Sequence, residues 1–541
     1  MKLFSAKTIL VIIAAFIFLS LCIVFTVSLM VAIVPAEIDA LSDWNTLPKI
    51  VLFTLKQAFF STLLALCIGI PTAYFTACKQ IPGSSFLLSF SAVPLCVPPL
   101  LVALGYVMFF GMQGVANRFV MNLFNLKEPP FTFLYSFWGI VIAQGFYNFP
   151  LVMKTCHDTW KKIPQEESNA AMLLGASPLR IFRTITIVQL TPAIISSSMV
   201  VFLYCFFSFV IVMLFGGVGT SVLEVEIYQS ARSSLNMSRS STLALVETGI
   251  AATITVFYGI LESKSASSQG MSFLNEKKQR ENISYLWQKI TTFFLYLLIV
   301  LFFIAPLISI LTAAFTEKNG GYHSQTLTLG IKNFTSIFSR VSFWQALGNT
   351  ILIGLSTAIL SVTAALFYCC FVKTVDSNKK NIFLRTIPLL PMAVSSVVLG
   401  FGITCIIPKA TPMHLCFMQA ATCWPFAYRQ IIAAMDRIPQ NQLNATKILS
   451  PNPIESIFRI NISMCKTSII SALGFCFAIS CGDTTLPLVL AIPKLDTLAL
   501  YTYKLASSYR FNEACTCGLI LAMLTMPIFI FSSKFGKKEN P

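Results

Sequence analysis

The 541-residue chain is predicted to be an all-α integral membrane protein of about twelve transmembrane helices, arranged as two parallel six-helix repeats. Three observations predict this. Hydrophobic residues make up 56% of the chain and charged residues only 11%, against roughly 25% charged in an ordinary soluble domain. Apolar runs long enough to cross a ~30 Å hydrocarbon core recur from end to end. A polar segment also repeats at a fixed offset of 275 residues, about half the chain. Ile163-Pro164-Gln165 returns as Ile438-Pro439-Gln440, Asn169-Ala170 as Asn444-Ala445, and Ile185-Thr186-Ile187 as Ile460-Asn461-Ile462. Tyr228, Ala231 and Ser233 meet Tyr503, Ala506 and Ser508 at the same spacing, which marks a fused duplication.

The apolar runs fall at about 8–34, 51–77, 84–112, 132–155, 186–216, 241–262, 290–315, 343–372, 384–407, 411–433, 464–491 and 513–533. The first is too long for the apolar core of a signal peptide and reads as a retained span. Six spans separate the two polar copies, so both copies lie on one membrane face and the halves are parallel. The expected organisation is a first half at 1–262 with its polar loop at 160–185, a linker at 263–289, and a second half at 290–541 with its loop at 435–460. The linker is polar and of mixed charge, ending in Glu276-Lys277-Lys278-Gln279-Arg280-Glu281.

A net charge of +17 would suggest nucleic acid in a soluble protein. Its distribution argues for topology instead. With the amino terminus inside, 25 Lys and Arg collect on the cytoplasmic side against 13 on the other. That positive-inside bias places both termini in the cytoplasm and leaves no expected nucleic-acid partner. Most of the 16 cysteines lie within apolar runs, where Cys acts as a small hydrophobe. His157, His323 and His414 are far apart and no C-x-x-C occurs, so no metal site is expected.

The first polar copy reads as two short helices. Pro164 suits a first helical position, and Glu166 and Glu167 then sit in a first turn that favours acidic residues. Ala170, Leu173 and Leu174 share one face at i, i+3, i+4. Gly175 suits the left-handed position that ends a helix. Ser177-Pro178 restarts one as cap and first residue, followed by Arg180 and Arg183 one turn apart. In the second copy Asn452-Pro453 replaces Ser177-Pro178, while Ser450 replaces Gly175 and precedes Pro451, which disfavours helical angles there. The two bends are expected to differ.

Asn169-Ala170-Ala171-Met172-Leu173-Leu174-Gly175 with Ile185-Thr186-Ile187 resembles the cytoplasmic EAA loop of bacterial ABC-importer permeases. Asn169 stands for that pattern's Glu, and Val188 stands where Pro is usual. The resemblance implies a type I importer permease fold at the bacterial inner membrane. It also implies that Asn169, Ala170, Ala171 and Gly175, with Ala445, Thr446 and Ser450 of the more degenerate second copy, couple the chain to an ATPase. The partners it implies are two copies of an ABC ATPase subunit, which bind the ATP and magnesium, an extracytoplasmic substrate-binding protein, and the lipid bilayer. No cofactor is expected in this chain and no enzymatic activity; G-x-x-x-x-G-K-[ST] does not occur. Tyr135 to Gly139 through Phe146 to Pro150, the run from Leu214-Phe-Gly-Gly217 to Ile227-Tyr-Gln229, and Gly482-Asp483 with Ser507 to Arg510 look closest to the thiamine importers, with the ferric-iron importers as the alternative.

Glu247 and Asp483 are carboxylates inside or at the ends of spans, where a charge is turned to a cavity or paired with a neighbouring helix. Both are substrate-pathway candidates. A twelve-span secondary transporter is the rival class. Such carriers usually place a Gly-Asp-Arg-rich motif between spans two and three, where this chain has only Cys78-Lys-Gln-Ile-Pro-Gly-Ser84.

Overall fold

The structure is a computed structural model and describes residues 46–89, 97–216, 221–267, 281–283, 285–319, 326–375, 384–385, 388, 391–392, 394–407, 409–436, 438 and 462–537. The expected first span, 8–34, lies outside the described residues. Within them the chain is helical apart from a two-stranded hairpin, β1 (Thr316–Asn319) and β2 (Thr326–Leu329), with Thr316 opposite Leu329. Seven described helices are long and apolar enough to cross a bilayer, counting segments continued through a widened or kinked turn as one.

The first half opens with α1 (Leu47–Cys78), then α2 (Pro99–Phe110) and α3 (Val115–Phe124). It continues with α4 (Phe137–Trp160), α5 (Gln165–Leu173), α6 (Pro178–Ile181), α7 (Ile187–Phe206), α8 (Val210–Phe215), α9 (Leu223–Arg232) and α10 (Met237–Ser267). The second half has α11 (Leu286–Ile299), α12 (Ala305–Phe315), α13 (Val341–Val375), α14 (Ser396–Ile406) and α15 (Pro412–Met435). It closes with α16 (Lys466–Gly482), α17 (Thr485–Leu490), α18 (Leu498–Ser507) and α19 (Phe511–Lys537).

The repeat seen in the sequence is a repeat of structure. Helices α4 and α15 each have 24 residues and start 275 positions apart. The short helices α8 and α17, and α9 and α18, start at the same offset. Local chemistry repeats with them. The Leu223 amide donates to Thr54 Oγ1 (3.1 Å) at the start of α9, and the Leu498 amide donates to Thr350 Oγ1 (2.7 Å) at the start of α18. Each threonine thus satisfies one of the amides that a helix start leaves without a partner.

Two expected spans are broken rather than continuous. The run 186–216 is interrupted at Phe207–Phe209 between α7 and α8, and the run 464–491 at Asp483–Thr484 between α16 and α17. Hydropathy sees only that both pieces are apolar. Non-helical backbone at membrane depth survives only where protein or a cavity surrounds it, and both breaks border the cavity described below.

The second half does not simply sit beside the first. The turn Val300–Ile304 between α11 and α12 carries Phe302, whose ring stacks on Phe146 at 4.9 Å and on Phe110 at 5.4 Å. Helix α12 then lies against α2, where a Cβ on Gly105 would sit 2.5 Å from the Pro306 carbonyl oxygen. Only glycine permits that approach, and Ser309 Oγ uses it to donate to the Gly105 carbonyl (2.9 Å). Of the expected linker at 263–289, α10 covers the start as far as Ser267 and α11 the end from Leu286. Its far end is fastened to the end of α1. There the Glu281 amide donates to the Cys78 carbonyl (3.0 Å), the Gln80 amide donates to the Glu281 carbonyl (2.8 Å), and Lys79 pairs with the Glu281 carboxylate at 2.5 Å.

Candidate translocation cavity and docking loop

The first polar loop forms as two short helices, α5 and α6. Pro164 is one residue outside α5 rather than in its first turn, with extended ψ of 134°, because it is the residue that turns the chain into the helix. Glu166 and Glu167 occupy the first turn as expected. Gly175 takes φ +79°, its amide donates to the Met172 carbonyl (2.9 Å), and the Ala176 amide donates to the Ala171 carbonyl (3.0 Å). These two bonds are the Schellman ending, which needs a left-handed residue at Gly175. Ser177 then caps α6 by accepting from the Arg180 amide (3.4 Å).

The result is a stiff, exposed knob. Leu173 and Leu174 at its tip are 89% and 88% exposed, Leu179 on α6 is also exposed, and Asn169, Ala170 and Ala171 lie on the surface of α5. The knob is tied back to the membrane helices at two points. Gln189 on α7 donates to the Glu167 carboxylate, and Phe182 stacks on Trp160 at the end of α4 at 6.4 Å. The second-copy residues Ala445, Thr446 and Ser450 lie outside the described residues.

Between the halves lies a cavity of about 310 Å³, within the size range of small-molecule sites. Residues from α4, α7 and α9 line it from one half, and residues from α15, α16 and the Asp483–Thr484 break from the other. Helices α4 and α15 fall short of the apolarity of the seven long spans because they carry polar side chains inward. Gln144 and Asn148 project from α4, and Gln419 projects from α15.

The two halves build this wall with the same parts. Gln144 Nε2 donates to Ser208 Oγ (2.7 Å), and Gln419 Nε2, 275 residues on, donates to Asp483 Oδ2 (3.2 Å). Asp483 is therefore both a cavity residue and a structural one. Its other oxygen accepts from the Thr485 amide (2.9 Å) and the Leu486 amide (3.4 Å), so it caps α17.

Glu247, the other carboxylate expected on the pathway, does not line the cavity. It is buried on α10, with Ser395 as its polar neighbour. The carboxylate that does reach the cavity from this side is Glu224, on α9, with Glu247 and Asp483 as its acidic neighbours. Its segment Leu223–Arg232 reads as part of an outer loop by hydropathy, so sequence reasoning passed over it. The duplication held the signal: the residue 275 positions on is Ala499, so an acidic residue is special to the first half.

Residues 65–266 match the family described as binding-protein-dependent transport system inner membrane component. The thiamine transport system permease protein of Brucella abortus (strain 2308) is 24% identical over 506 residues, covering 92% of this chain and 89% of that protein. The protein of the same description from Salmonella typhimurium (strain LT2) is 22% identical, covering 91% and 90%. That from Escherichia coli (strain K12) is 23% identical, covering 90% and 88%. Together with the structural duplication, these matches support a fused two-half ABC permease of the binding-protein-dependent kind, a multi-pass inner-membrane translocation component rather than an enzyme.

Proposed function

We propose that the chain is the translocation subunit of an ATP-driven thiamine importer. Permeases of its kind work with a substrate-binding protein and an ATPase. In this reading the binding protein delivers thiamine to the outer face, and two ATPase subunits bind ATP and magnesium on the cytoplasmic side. Both termini lie on that cytoplasmic side. Asn169, Ala170, Ala171 and Gly175 present the knob to one ATPase copy, while Ala445, Thr446 and Ser450 present its counterpart to the other.

The observation that carries the coupling role is the knob itself. A capped helix with two leucines almost fully exposed offers an apolar face to a groove. Its bonds to α4 and α7, which line the cavity, give ATPase motion a rigid route inward. Alternating the cavity between outward and inward openings then needs only that the two halves rock about their shared contacts. The thiamine assignment rests on relatives that match this chain along nine-tenths of its length.

Uptake of labelled thiamine in cells with and without the chain tests the substrate. Loss of thiamine uptake on deletion, with ferric-iron uptake unchanged, is the expected result. Loss of iron uptake alone would overturn the thiamine assignment and leave the architecture intact.

A further inference from the structure

We infer that the cavity is itself selective for an organic cation bearing N–H donors, with Glu224 as its charge and the side-chain oxygens of Gln144 and Asn148 as its acceptors. The inference deepens the importer reading above by assigning substrate selection to residues of the permease.

The first-half side of the cavity wall holds unpaired acceptors. Gln144, Asn148 and Glu224 are 1%, 2% and 2% exposed; Gln144 Oε1 and Asn148 Oδ1 have no partner among the described residues, and the Glu224 carboxylate has the Ser395 hydroxyl beside it. Each amide nitrogen also donates within the protein. Asn148 Nδ2 donates to the Gln144 carbonyl (3.0 Å), and Gln144 Nε2 donates to Ser208 (2.7 Å). What remains is two unpaired amide oxygens and a carboxylate on one side of the cavity. Buried acceptors are normally paired, and those left over call for a donor from elsewhere.

The duplicate half shows how the acceptors come to be free. There Ser480 Oγ donates to Gln419 Oε1 (2.6 Å), so Gln419 is satisfied within the protein. The residue at the position of Ser480 in the first half is Cys205, whose thiol is a weak donor. A serine would have closed the Gln144 oxygen; the cysteine leaves it available. Asn148, likewise, has Cys423 as its counterpart, so its free oxygen has no equivalent across the cavity.

Charge points the same way. Glu224 lies beside two further carboxylates, Glu247 behind it and Asp483 across the cavity. A cation entering such a low-dielectric acidic cluster can displace a proton from it and pair with the carboxylate left behind, which a neutral ligand of equal shape cannot do. Tyr204 and Phe209 add aromatic faces to the wall, which also suit a positively charged ring. Arg429 stands beside Tyr204, but it is ten residues along α15 from Gln419, about 15 Å by helical rise. Thiamine, a cation with an exocyclic amino group, has the chemistry this wall asks for.

The test is equilibrium binding of labelled thiamine to the purified permease–ATPase complex without the binding protein. Choline and a neutral aminopyrimidine are measured beside it. Thiamine is expected to bind at least about tenfold more tightly than the neutral compound, and Glu224→Gln to abolish most of that preference while Glu224→Asp retains part of it. Equal binding of cation and neutral compound by the unaltered complex would overturn the inference without reference to any variant. So would a charge preference that survives Glu224→Gln, and so would the absence of any binding. If choline, which has no N–H, binds through Glu224 and thiamine does not, the acceptor role of Gln144 and Asn148 is overturned and the thiamine assignment falls with it. If cells take up thiamine normally through a Glu224→Gln permease, the assignment stands and the site falls.

Discussion

The two walls of the cavity are the same construction with different endings. In each half a glutamine on a long buried helix reaches a residue at a break in the neighbouring span. In the first half that residue is Ser208, and in the second it is Asp483. The backbone around them has been kept closely enough that α8 and α17 begin 275 residues apart. Side chains have not. The second half carries its carboxylate at the break and closes its glutamine with Ser480. The first half carries Glu224 and Glu247 where the second has Ala499 and Ala522. The comparison teaches that the frame of a permease half and the chemistry of its cavity are separable. Duplicated helix starts, their threonine acceptors and the span breaks hold the frame, while the polar groups facing the cavity diverge.

Breaking the docking knob is expected to have the largest effect. Proline at Gly175 cannot adopt φ +79°, so Gly175→Pro loses the Schellman ending, at about 3 kcal/mol or more locally. Uptake should fall by at least tenfold while ATP hydrolysis by the purified complex persists, on a loss of about 1.4 kcal/mol or more in coupling. Ala170→Glu should act in the same direction without disturbing the fold, since Ala170 is exposed. Unchanged coupling ratios, measured as molecules transported per ATP, would remove the knob from the mechanism.

The next effect separates the two walls. Asp483→Asn exchanges an acceptor of two amides and a glutamine for a group with half the accepting capacity, at a cost of about 1–3 kcal/mol. Ser208→Ala removes one hydroxyl, at about 0.5–1.5 kcal/mol. The apparent melting temperature in detergent should fall more for Asp483→Asn. Equal shifts would mean that the second break is held by something other than its aspartate cap.

A matched pair sharpens the claim that the frames are equivalent. Thr54→Val and Thr350→Val each deprive a helix-start amide of its acceptor, at about 1 kcal/mol apiece. Similar losses are expected in the same melting assay. A loss confined to one half would show that the repeat is conserved in geometry and not in energetics.

The smallest effect is at the edge of the second half. Burial would push the Asp436 carboxyl up, but hydrogen bonds from Arg385 and Lys373 outweigh it and hold the group below the ordinary carboxylate value. Its contribution is therefore fully present above the unfolded-state pKa of about 3.9 and is lost as pH falls through the lower folded value. Melting temperature should depend on Asp436 equally at pH 6 and pH 8, so the difference between the parent and Asp436→Asn should not change across that interval. A difference that grew with pH between those values would contradict the pairing.

Much of the frame was legible in the sequence because it is built from local and periodic signals. Apolar runs of span length located the long helices, and the 275-residue offset located the duplication. Gly175 and Ser177-Pro178 located the turn of the knob because caps act within four residues. What stayed hidden needed neighbours distant in sequence. The breaks at Phe207–Phe209 and Asp483–Thr484 are invisible to hydropathy, since both flanking pieces are apolar. Asp483 looked like a pathway charge, and only the structure shows that it also caps α17. Glu224 looked like a loop residue, because its burial is supplied by α10 and by the opposite half rather than by its own segment.

The most direct test of the importer reading is thiamine uptake by proteoliposomes holding this chain with its ATPase, with the binding protein outside and ATP enclosed. Accumulation that requires both ATP and the binding protein, and stops when either is withheld, is the expected result. Accumulation driven by an ion gradient with no ATPase present, or none under any of these conditions, would contradict it.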